Sequence, residues 1–212
     1  MRKNHRKKRG FTIIELIITL SLLGFVLMVI YSLFFYAQKS LIKSETHLNI
    51  NQQVNMTFLY MEKDIHSAMK PNEVTDAIRV ISTTEMHVYS YDAASEKYFR
   101  IVYRINPSES TVLERGVAIC EDAKPPKDNN PEYGTIHEWN TLVKGIVKKH
   151  NGKETGFSLR PVPTPVSSYE PTPTPFARRA VQITLLVDDK NSPTNEPIVY
   201  EKVLTSRTNS YP

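Results

Sequence analysis

The chain has 212 residues with 27 Lys and Arg against 22 Asp and Glu, a length that allows one medium domain plus an anchor and excludes two full catalytic domains. The net charge of +5 points to an acidic partner only until it is located. Residues 1–10 carry Arg2, Lys3, Arg6, Lys7, Lys8 and Arg9 and no acid, so without them 21 basic side chains face 22 acidic ones. The rest of the chain is close to neutral and mixes both signs, which is no footprint for nucleic acid.

From Leu16 to Ala37 run 22 residues without a formal charge, dominated by Leu, Ile, Val and Phe. That length of helix crosses a hydrocarbon core. A secretory signal peptide would have a shorter apolar core ending at small residues, whereas this run ends in Tyr36, Ala37, Gln38 and Lys39. The basic cluster ahead of the run predicts a cytoplasmic N-terminus and an extracytoplasmic remainder, a single-pass topology in the cell membrane. The charge nearest the run is Glu15, and an ionised carboxylate at membrane depth costs a few kcal/mol unless it finds a partner. At headgroup level the same acid is tolerated cheaply by the helix dipole, and spacing by itself leaves both readings open.

Outside the membrane, Ile50, Val54, Phe58, Met61, Ile65 and Met69 recur every three or four residues and draw one apolar stripe along a helix. Asn51, Gln52, Gln53, Asn55, Glu62, Lys63 and Asp64 fall on its polar side, and Pro71 supplies a stop. The pattern predicts one long helix from Phe11 to about Met69, with residues 11–37 transmembrane and 38–70 amphipathic. After Pro71 the texture is β, predicting strands at Arg79–Ser82, Met86–Tyr91, Lys97–Ile105 and Thr111–Arg115. In the third, Phe99, Ile101, Tyr103 and Ile105 alternate with Arg100, Val102 and Arg104, which suits a sheet with one face on a helix. Asn151-Gly152 predicts a type I′ hairpin between Leu142–Lys149 and Thr155–Arg160, and Ala180–Val187 pairs with Ile198–Leu204 around a polar loop. Glu121–Gly134 reads as a surface loop, and Pro161–Pro175, with six of the fourteen prolines, as an extended insertion unable to pair as a central strand. The expected class is α+β, a long N-terminal helix on an antiparallel sheet domain that occupies 71–212.

The stretch Lys8-Arg9-Gly10-Phe11-Thr12-Ile13-Ile14-Glu15-Leu16 resembles the cleavage and methylation motif of type IV prepilins. The resemblance implies a leader at residues 1–10, cleavage between Gly10 and Phe11 by a membrane-embedded prepilin peptidase, and methylation of Phe11 by the same enzyme. It implies further that Glu15 serves assembly by pairing with the Phe11 ammonium of a neighbouring subunit, and that the chain meets other pilin or pseudopilin subunits, an inner-membrane assembly platform and membrane lipid. Gly24 is the only glycine of the stem and no proline lies between Phe11 and Pro71, a departure from the family's Gly and Pro pairing in this helix. Asn51 to Ala68, Arg100 to Arg104 with Leu113 to Arg115, and Ala180 to Leu185 are similar to J-type minor pseudopilins of type II secretion. The presence of Glu15 argues against the K-type tip subunit, which commonly lacks that acid. The resemblance implies a minor subunit of a tip or priming complex, in a type II pseudopilus or a type IV pilus. An adhesive or DNA-uptake minor pilin and a membrane-tethered enzyme are the alternatives.

Candidate chemistry is sparse. With seven glycines there is no Gly-rich phosphate loop and no Gly-x-Ser-x-Gly elbow. The histidines His5, His47, His66, His87, His137 and His150 are dispersed, and Cys120 is alone, so neither an intrachain disulfide nor a Cys-based zinc site is expected. Asp188, Asp189, Asn191 and Glu196 cluster in the last loop, but their spacing fits turn chemistry better than any defined calcium motif. No catalytic residue, cofactor or metal is expected.

Overall fold

The computed structural model describes residues 12–71, 75–120, 133–160, 180–189 and 196–206. The chain divides into two units, 1–45 and 46–212. One helix, α1 (Ile13–His66), contributes to both. In the first unit its apolar residues are exposed all round, from Ile13 to Tyr36. Side chains with this much apolar surface lose stability in water and gain it in lipid.

In the second unit the stripe predicted from the sequence is the buried face: Val54, Met61 and Ile65 are fully covered and Phe58 nearly so. The helix ends at His66, three residues before Met69. The reason is competition for the backbone: Met69 N–H donates to the Tyr89 carbonyl at 2.9 Å and Ala68 bridges to Ser90, so the chain is already extended before Pro71. Asp64, expected on the polar side, is also buried.

Ten strands follow. β1 (Ile78–Ser82), β2 (Glu85–Asp92), β3 (Lys97–Ile105), β4 (Val112–Cys120) and β5 (Trp139–Lys144) form an antiparallel meander in sequence order. β8 (Gly156–Arg160), β9 (Ala180–Val187) and β10 (Ile198–Thr205) make a second sheet with β9 central, and β6 (Lys149–His150) and β7 (Lys153–Glu154) a small hairpin. Met86, Val88, Ile101, Tyr103 and Leu113 of the first sheet and Val181, Ile183 and Leu185 of the second share one core with the outer half of α1. The α+β class is as expected, and β3 and β9 fall on their predicted residues.

Two strands differ from their predicted bounds by more than one residue at an end. β4 continues to Cys120 rather than stopping at Arg115, because Val117 and Ile119 pair with Ile101 and Phe99 along the full length of β3. The strand predicted at 142–149 is broken after Lys144, where Gly145 takes a φ of +79° and its carbonyl accepts from Asp188 N–H at 2.7 Å. The chain thereby leaves the first sheet, and Ile146 bridges to Val187 of the second. The Asn151-Gly152 turn is present, with both residues at positive φ (48° and 78°) as a type I′ turn requires, but it joins only β6 to β7: the predicted flanking strands do not pair with each other, since β5 pairs with β4 and β8 with β9. The Pro-rich insertion 161–175 and nearly all of the 121–134 loop lie outside the described residues.

The sheets meet where Phe157 N–H donates to Thr83 O at 2.9 Å. A Cβ on Gly156 would stand 2.4 Å from that same carbonyl oxygen. Gly156→Ala is therefore expected to force the two backbones apart and cost about 2 kcal/mol, read as a lower urea midpoint at unchanged slope. A midpoint equal to wild type would mean that the junction yields freely.

Candidate functional site

Of the residues singled out at the N-terminus, Gly10 and Phe11 lie outside the described residues, and Glu15 sits in the first turn of α1. The sequence Thr12-Ile13-Ile14-Glu15 starts a helix by a reciprocal device. Glu15 N–H donates to Thr12 Oγ1 at 3.3 Å, while Thr12 N–H and its hydroxyl donate to Glu15 Oε2 at 3.2 and 3.1 Å. Thr12 is thus the N-cap and Glu15 the third helical residue of a capping box, which satisfies two backbone donors that otherwise have no intrahelical partner. The reading of Glu15 through membrane depth missed this second use, although the Thr-x-x-Glu spacing announces it. The carboxylate lies at the positive end of the helix dipole, three residues after the Thr12 cap and five after Gly10. A cation at the backbone nitrogen of residue 11 would be covalently next to that cap.

Beyond Glu15 the described helix carries no formal charge until Lys39. Its polar side chains turn inward on the backbone: Thr19 Oγ1 donates to the carbonyls of Glu15 and Leu16 at 2.9 Å, Ser21 Oγ to Ile17 O at 2.8 Å and Ser32 Oγ to Val29 O at 2.9 Å. Hydroxyls satisfied within their own helix are compatible with lipid. α1 is long and apolar enough to cross a membrane, and its most apolar window has none of its residues buried within the protein.

A second set of polar residues holds the outer half of α1 to the sheets. Asp64 accepts from Tyr103 Oη at 2.5 Å and from Arg115 Nε at 2.8 Å, joining helix, β3 and β4 at one carboxylate oxygen. Burial, followed by the neighbouring Asp64 charge, pushes the Tyr103 phenol far above its usual range. Burial opposes the Arg115 cation, but the bond and charge of Asp64 outweigh it and raise its pKa. At the opposite edge Tyr200 Oη donates to Asn51 Oδ1 at 2.5 Å, and Lys202 Nζ to Glu62 Oε2 at 2.8 Å. The hydrogen bond from Lys202 lowers the pKa of Glu62. None of these pairs was legible from spacing, because their members are 39 to 149 residues apart.

The remaining candidates do not converge. His47 bonds Asn51 on the stem, His66 ends the helix, His87 meets Glu85, His137 lies near Thr135, and His150 is on β6. Cys120 is a buried free thiol on β4. Asp188 is engaged through its backbone, Asp189 is buried, Glu196 is exposed, and Asn191 lies outside the described residues. Among the described residues no three His, Cys, Asp or Glu side chains come together as metal ligands would.

No curated protein and no solved structure matches the chain significantly. Residues 5–31 match the family model described as the prokaryotic N-terminal methylation motif, a span that contains Gly10, Phe11, the Thr12–Glu15 cap and the start of the apolar helix. The chain thus carries a prokaryotic N-terminal methylation motif that runs into a long apolar helix, followed by an antiparallel β body.

Proposed function

We propose that the protein is a minor subunit of a type IV pilus or type II secretion pseudopilus, made as a prepilin and placed in a tip or priming complex, with a structural and not an enzymatic role. The observation that carries this reading is the junction at residues 10–15: a methylation motif runs directly into an apolar helix whose first turn holds one carboxylate. Cleavage after Gly10 would create an ammonium at Phe11, the cation that a Glu15 carboxylate in a neighbouring helix can pair with inside a low-dielectric bundle. Processing also removes six basic side chains and no acid, leaving 21 basic against 22 acidic side chains, so a nearly neutral subunit is left and the basic leader acts as a topological address. The body then lies outside the cytoplasm, tethered by residues 11–37. Membrane lipid, the prepilin peptidase, the assembly platform and other pilin-like subunits are its partners. The size of the body and the likeness of 51–68 and 180–185 to J-type sequences favour a minor subunit of the secretion type.

Intact-mass and N-terminal peptide spectrometry of the membrane-extracted protein tests the reading. The expected product starts at N-methyl-Phe11, and it reverts to an unprocessed chain when the host's prepilin peptidase is inactivated. A chain that keeps Met1 in the presence of active peptidase would sink the proposal.

A further inference from the structure

The face of the first sheet turned away from α1 is where unpaired positive charge collects. The antiparallel register sets Arg79 of β1 opposite His87 of β2, and Tyr89 of β2 opposite Arg100 of β3. Two guanidinium groups thus flank one imidazole across three adjacent strands. Among the described residues, the carboxylates Glu85 and Glu114 of this face are already engaged. Glu85 contacts His87 Nε2 at 2.7 Å, and Glu114 accepts from Arg104 Nε at 3.3 Å and from Asn106 Nδ2 at 2.7 Å. Arg104 is further committed, stacked 3.4 Å from the Trp139 ring centre.

Among the described residues neither Arg79 nor Arg100 forms an ion pair. Arg100 is half-buried, its Nε has no hydrogen-bond partner, and its guanidinium carbon lies 5.3 Å from the Tyr133 ring centre. A buried charged donor left unbonded is costly, so the corner gains from an acceptor that reaches it. Burial holds His87 below its ordinary pKa against the pull of Glu85, and the charges of Arg100 and Arg79 push in the same direction as burial. An incoming carboxylate reverses that local field and bonds to guanidinium groups by charge-assisted contacts.

We propose that the Arg79, His87 and Arg100 corner is a docking point for an acidic segment of a partner protein, which presents Asp or Glu carboxylates to the two guanidinium groups. Arg79 is exposed and forms the entrance, and half-buried Arg100 is the anchor behind it. Single-stranded nucleic acid fits the corner less well, because such ligands stack bases on open aromatic faces. Here Tyr89 and Tyr98 are 5% and 3% exposed. The site is separate from the N-terminal junction and does not depend on the proposed role in a filament.

The test uses the full chain in detergent micelles and follows the His87 ring signal by NMR as pH is varied. Hexaglutamate peptide at constant ionic strength is expected to raise the His87 midpoint by about 0.5 unit or more, since a nearby opposite charge favours the protonated imidazole. Hexaglutamine should leave it in place. Arg79→Gln, a surface change that leaves the core intact, should roughly halve the shift, and Arg79→Gln with Arg100→Gln should abolish it. Arg100→Lys, which keeps the charge, should retain most of it. An unmoved midpoint with hexaglutamate, an equal effect of hexaglutamine, or a full shift in the double variant would each overturn the proposal. A twelve-nucleotide single strand that moves His87 at lower concentration than the peptide would overturn it in favour of nucleic acid.

Discussion

Asp64→Ala is expected to lower the stability of the β-rich body by about 3 kcal/mol, the lower end of the range for breaking a buried ion pair. The substitution removes the acceptor of two donors at once, leaving Tyr103 Oη without a partner inside the core and Arg115 without its counter-ion. Tyr103 is fully buried and cannot turn to water. The Arg115 side chain retains 22% of its exposure, which is why the lower end applies. Denaturant unfolding in micelles should show the midpoint falling at constant slope. Replacing Asp64 and Arg115 together by Leu removes both charges and should recover part of the loss, because an apolar pair costs less to bury than an orphaned cation. A single variant within 1 kcal/mol of wild type would show that the hub does not hold helix to sheet.

Glu15→Gln separates the two uses of Glu15. Glutamine serves in a capping box as glutamate does, so it preserves the reciprocal bonds with Thr12 while removing the charge. If Glu15 pairs with the Phe11 ammonium of a neighbour, Glu15→Gln should be cut and methylated normally yet enter filaments at least about tenfold less than wild type, the factor that loss of a charge-assisted bond implies. Thr12→Val should behave in the opposite way: its cap weakens by roughly 1 kcal/mol, but the charge stays and incorporation is close to normal. Both are read by immunoblot of sheared filaments against membranes, with the N-terminus checked by mass. If Glu15→Gln assembles as wild type while Glu15→Ala does not, the cap and not the charge is what assembly needs.

The J-type likeness read from the sequence rests on short stretches that the fold places on four elements: residues 51–66 on α1, Arg100–Arg104 on β3, Leu113–Arg115 on β4 and Ala180–Leu185 on β9. All four contribute side chains to one core, so similarity there reports packing as much as function.

Local signals sufficed for most of the N-terminal helix. The charge step at residue 10, the apolar run and the four-residue stripe from Val54 to Ile65 each depend on neighbours within one or two turns, and a helix is built from such neighbours. The same holds for β3, whose alternation spans its own nine residues, and for the Asn151-Gly152 turn, whose two positive φ angles follow from residue type. What tertiary structure decided are the contacts that close long loops. The helix stops at His66 because Tyr89 and Ser90 capture the backbone two and three residues later. Asp64 leaves the polar face because Tyr103 and Arg115, 39 and 51 residues away, supply the bonds that make its burial affordable. Gly145 breaks a strand because Asp188 and Val187 stand across from it. Periodicity measures which face of an element is apolar, and it carries no information about which distant donor will meet a buried acceptor.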